Sequence, residues 1–170
     1  RKANVTASGV DGLWGIVDVG LALQKAILHD MDEAVTGDFV RGFKNSDEEL
    51  LEVIERHAAH ETMRVFKGLT EDPEIALALH KLWDTAKHED TLESDLVNFA
   101  DFLSVLCYIL NEIRCGNNVI KEHLVGLRAY WASMYKYKIF SLPETQGWLE
   151  ALPPIFEEFG FPILSEGAAE

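Results

Sequence analysis

The chain has 170 residues, 48% of them hydrophobic and 26% charged, which is enough apolar side chain for a sizeable core and excludes the polar bias of a disordered protein. Acids outnumber Lys plus Arg by 29 to 15, a net charge of −14, so the protein as a whole would repel nucleic acid polymers and anionic lipid. These figures predict one globular domain over residues 1–162 with a flexible tail, 163–170, and no nucleic acid or membrane partner. No apolar run comes near the roughly 20 residues that span a bilayer, and the start "RKANVTASG" lacks the apolar centre of a signal peptide. Two cysteines, Cys107 and Cys115, are too few for a disulfide framework. Cys107 lies in an apolar helical pattern, where a buried, reduced thiol and hence a cytoplasmic location are expected.

Helical signals recur along the chain without convincing apolar and polar alternation, so the fold class is read as all-α. The segment "SGVDGLWGIVDVG" carries Gly9, Gly12, Gly15 and Gly20 and no caps, which suits a loop. It lacks the lysine and the strand-to-helix setting of a phosphate loop.

Next, "AILHDMDEAVTGD" sets an apolar run directly against one imidazole and four carboxylates, Asp30, Asp32, Glu33 and Asp38. Acids that merely suit a helix dipole belong at its N-terminus, so this placement asks for a cation. Counted along a continuous helix, Glu33 shares the face of His29 and Asp30 lies one step round, so that one ion could meet all three. A solvated helix end is the plainer alternative for an isolated His-Asp pair.

Further on, "SDEE" at Ser46–Glu49 reads as a capping box, and "DPE" at Asp72–Glu74 as an N-cap followed by an N1 proline. His57 and His60 are spaced to chelate, yet they do not follow the HExxH order, and a partly buried packing role is expected for them. His80, His88 and His123 are expected in solvent. A helix should run from about Glu93 to Arg114 and end at Gly116. Within it "LVNFADFLSVLCYIL" is apolar nearly all round, with Asp101 as its one charge, which predicts a buried helix. A carboxylate there costs several kcal/mol unless it is paired, neutralised or bound to a metal, so Asp101 needs a partner: an ion, or a buried Arg or Lys. The stretch "SLPE" at Ser141–Glu144 should open another helix after the one carrying Trp131 and Tyr135.

The motif "ILHDMDEAVTGD", followed at a distance by an Asp in an apolar helix, resembles the pattern of HD-domain phosphohydrolases. Within that superfamily it most resembles the 5′-deoxynucleotidase group and the small phage-type deoxynucleoside triphosphohydrolases, and the likeness runs to about Asn118. The resemblance implies a single-domain helical bundle of HD-domain type, often a homodimer. It implies a divalent ion, Co²⁺, Mn²⁺ or Zn²⁺, held by His29, Asp30 and Asp101. Glu33 would serve the water that the ion activates, Asp38 would place water or sugar, and Lys44, with Arg41 beside it, would meet the substrate. That substrate would be a deoxynucleotide, with phosphate release from 5′-monophosphates ahead of triphosphate removal from a dNTP. The family pattern begins with an earlier His, whereas "NVTASG" has Ser8 there and no histidine precedes His29. The expectation is that the sequence omits residues near its start; an inactive HD scaffold serving as a binding module is the alternative.

Overall fold

The computed structural model describes residues 15–37, 47–88 and 90–160. Among them the chain is all-α, with no strand, and it folds as two compact units. One takes residues 19–88, the other residues 15–18 and 90–160.

The first unit contains α1 (Val19–Leu28), the single turn α2 (Glu33–Thr36), α3 (Glu48–Leu69) and α4 (Pro73–His88). Helix α1 includes Gly20, which the glycine-rich reading had placed in a loop. The start of α3 is capped by Asp47, whose carboxylate accepts the N–H groups of Glu49 (2.8 Å) and Leu50 (3.2 Å). The cap is therefore Asp47, one residue later than the expected Ser46, which lies outside the described residues. Asp72 accepts from Glu74 at 2.8 Å ahead of Pro73, as the sequence predicts. The short connection from Thr70 to Asp72 pairs α3 with α4, and α1 packs on α4. Ala58, Phe66, Ala76 and Trp83 form the core, with Leu28 and Met31 against it. Lys25 is buried on α1 and donates to the carbonyl of Thr85 at 3.3 Å.

The second unit is built on α5 (Leu92–Arg114), followed by a 3₁₀ turn at Asn118–Glu122, α6 (His123–Met134), a 3₁₀ turn at Lys138–Ser141, α7 (Gln146–Glu150) and α8 (Pro153–Glu158). Thr91 caps α5 by accepting the Ser94 N–H. Gly116 ends it with φ +96°, a conformation that L side chains rarely adopt. Phe99, Phe102, Leu106 and Ile109 of α5 pack with Leu124, Trp131, Met134, Ile139 and Phe156. Asp95, buried in the first turn of α5, accepts the N–H of Ile139 at 3.2 Å and so ties the second 3₁₀ turn to that helix. The helix expected from Ser141 begins instead at Gln146. The buried Thr145 donates its hydroxyl to the carbonyls of Ile139 and Leu142, which holds the intervening segment as a turn.

Helix α5 corrects two expectations. Its 23 residues are long and apolar enough to cross a membrane by length and composition alone, although the sequence was read as having no such run. It is a core helix by its packing, since Phe99, Phe102, Leu106 and Ile109 are buried within its own unit. It is not buried all round: Val105, Cys107 and Tyr108 are exposed, as is Cys115 just after it. Three small helices and two turns are too few to cover every face of a helix this long, so the thiol of Cys107 is left outside the core.

Candidate functional site

Helix α1 stops at Leu28, and residues 29–32 form a turn before α2. Two tight backbone bonds make it, Met31 N–H to the Leu28 carbonyl and Glu33 N–H to the Asp30 carbonyl, each 3.0 Å. His29 and Glu33 therefore do not share one continuous helix, which the spacing argument assumed. Glu33 instead opens α2 and is half-buried. Gly37 closes α2 with φ +75°, the positive-φ position where glycine costs least.

The turn presents His29 and Asp30 together. His29 is one-quarter exposed, Asp30 about half, and Nε2 of the ring lies 2.9 Å from Oδ2 of the carboxylate. The other ring nitrogen, Nδ1, is 2.7 Å from the carbonyl of Ala26. A carbonyl can only accept, so Nδ1 must carry a proton and Nε2 is left to face the carboxylate. That arrangement is unfavourable for a neutral ring, because two lone-pair-bearing atoms then meet. It is resolved by a second proton on the ring or by a cation shared with the carboxylate. The donor set, imidazole nitrogen plus carboxylate oxygen with the ring oriented by a backbone carbonyl, is the one transition ions take. These two residues fit a divalent ion.

Of the other expected site residues, Asp101 lies on α5 and is half-buried. Asp38, Arg41 and Lys44 lie outside the described residues.

Asp32 has a different occupation. It is 5% exposed, and its Oδ1 accepts from Lys87 Nζ at 2.5 Å and from Trp83 Nε1 at 3.2 Å. One of the four carboxylates that prompted the search for a cation thus has its cation already, a lysine of α4. The sequence pattern alone did not separate it from its neighbours. A signal was available in "LWDTAK", which sets an aromatic donor and a lysine four residues apart on one helix face.

The remaining histidines are also partly as expected. His57 and His60 are both exposed rather than packed, and His60 pairs with Glu61 at 3.2 Å. His80 is half-buried, with Nε2 3.0 Å from the carbonyl of Ala59 and its ring against Trp83. His88 and His123 are exposed.

An all-α chain with a His-Asp dipeptide in the turn after an apolar helix has the makings of an HD-domain phosphohydrolase. A family model described as 5′-deoxynucleotidase YfbR-like matches residues 11–140, more than half of the chain. The chain belongs to the YfbR-like 5′-deoxynucleotidase family. No curated protein and no solved structure matches it.

Proposed function

We propose that the chain is a metal-dependent phosphohydrolase that releases phosphate from deoxynucleoside 5′-monophosphates. The observation that carries this reading is the pairing of His29 Nε2 with Asp30 Oδ2, at the His-Asp motif of a family described by that activity. His29, Asp30 and Asp101 would hold the ion, Co²⁺, Mn²⁺ or Zn²⁺. Bound there, the ion supplies activation of water and neutralisation of phosphate charge.

The chain's own residues do the rest. His29 keeps its ring oriented by donating from Nδ1 to Ala26. Glu33 accepts, at its carboxylate, the proton of the water that attacks phosphorus; the bond from phosphorus to the sugar 5′ oxygen breaks, and that oxygen takes up a proton as the deoxynucleoside leaves. Asp38 places that water or the sugar, and Arg41 and Lys44 hold the phosphate oxygens by charge-assisted hydrogen bonds. Two cations near the motif match a monophosphate better than a triphosphate, which would call for several more. The same reading includes a cytoplasmic homodimer, and the net charge of −14 speaks against a nucleic acid polymer as ligand.

The test is product analysis after incubation with each dNMP and each dNTP, with Mn²⁺ or Co²⁺ and with EDTA. Metal-dependent phosphate from dNMPs is the expected result. Triphosphate from a dNTP would replace this reading by the triphosphohydrolase one. Nucleotide binding without turnover under every condition would leave an inactive HD scaffold used as a binding module.

A further inference from the structure

We propose that Asp32 is a positioning residue for the metal site: clamped by Lys87 and Trp83, it fixes the turn that carries His29 and Asp30 and the start of the helix that carries Glu33. This rests on the reading of His29 and Asp30 as metal ligands.

The first observation is where the clamp is attached. Asp32 stands two residues after Asp30 and one before Glu33, so any displacement of its backbone passes directly into both. Its carbonyl accepts from the N–H groups of Val35 and Thr36 and from the Thr36 hydroxyl, which makes it the fixed end of α2. Its side chain is held from α4, 51 and 55 residues further along the chain. Turn and short helix are thus fastened to one long, well-packed helix.

The second observation is the nature of the fastening. Both donors converge on the same oxygen, Oδ1, and the Lys87 ammonium lies 5.4 Å from the centre of the Trp83 ring. Trp83 is itself buried in the core. The three groups therefore fix one another's direction. A buried ion pair is weak support for stability alone, because an apolar pair of similar volume often does as well. What the charged pair adds is orientation: a carboxylate held by two donors has one position, whereas an apolar contact tolerates sliding. A two-residue link to a ligand is where such orientation has most effect, for groups behind metal ligands commonly change affinity without touching the ion.

The experiment uses the full chain and Co²⁺ as probe, reading affinity by calorimetry and ligand geometry by the visible absorption of the bound ion. Asp32→Asn and Lys87→Met should each weaken Co²⁺ binding by about 10- to 100-fold and change the absorption envelope. Lys87→Arg, which keeps a donor cation for Asp32, should stay closer to the wild type than Lys87→Met. Because a single variant can strand a buried charge and unfold the unit, the double variant Asp32→Leu with Lys87→Met is included, since it leaves no charge unpaired. It should fold by circular dichroism and still bind Co²⁺ weakly. Wild-type affinity and spectrum in Asp32→Asn, or in the folded double variant, would overturn the inference while leaving the metal site standing. A wild-type chain that takes up no Co²⁺ would defeat the metal reading, and this inference with it.

Discussion

His29 Nε2 stands 2.9 Å from Asp30 Oδ2 while its Nδ1 is committed to the carbonyl of Ala26. In the proposed function this pair shares a cation. Activity should therefore vanish in EDTA and return with Co²⁺ or Mn²⁺ more readily than with Mg²⁺, because an imidazole ligand suits the softer ions. Phosphate release measured across the three metals checks this; undiminished turnover in excess EDTA would remove metal chemistry from the account.

Glu33 opens α2 just beyond the His-Asp turn. If it handles the proton of the attacking water, Glu33→Gln should bind metal and nucleotide almost normally yet turn over about 10²- to 10⁴-fold more slowly. Asp30→Asn should instead lose the ion. Calorimetry set beside initial rates separates the two, and a wild-type rate in Glu33→Gln would leave Glu33 with a structural task only.

Burial pushes the Asp95 carboxyl above the ordinary aspartate range, against the opposing pull of the Ile139 and Lys138 backbone N–H groups. A raised folded value means that the folded state holds the proton more tightly than the unfolded chain. The contribution of Asp95 to stability is then fullest below its ordinary pKa and is lost as the pH rises through the raised one. Asp95→Asn stays neutral and can still accept from Ile139. Its stability relative to the wild type should improve as the pH rises above the ordinary aspartate range in urea unfolding. A difference that does not change with pH would show that the carboxyl titrates alike in both states.

Gly37 has φ +75°, and a Cβ placed there would meet nothing within 4 Å. With ψ at 160° the residue sits in a region that only glycine adopts freely, so the cost of Gly37→Ala is backbone strain, about 1 to 3 kcal/mol. Denaturant unfolding should show that loss, and equal stability would mean that the turn after α2 readily adopts another conformation.

The parts of this fold that could be read from the sequence are those decided by neighbours. Asp72 before Pro73, and Gly116 after Arg114, mark helix ends because capping is settled within a few residues. The break at residues 29–32 was not visible, since no Gly or Pro lies there and the apolar spacing continues through it. The turn after α1 is joined to α4 through Asp32, and a contact across 55 residues leaves no trace at residues 29–32 themselves, its one signal lying in "LWDTAK" on the other helix. The exposure of Cys107 was hidden for a related reason: composition shows that a helix is apolar, whereas its coverage depends on how many neighbours pack round it. At the site, the His-Asp dipeptide was legible because few residue types suit a transition ion. That Asp32 is taken by a lysine emerges from the geometry.

The two thiols on and just after α5 have a practical consequence. Both Cys107 and Cys115 are exposed, so a thiol-reactive dye or spin label can be attached at either position without opening the core, and in air both can form disulfides between separate molecules. Preparations kept under a reductant and those left without one will therefore differ in apparent mass on a non-reducing gel. A dimer measured in solution has to be shown with Cys107 and Cys115 replaced by Ser before it is credited to non-covalent association.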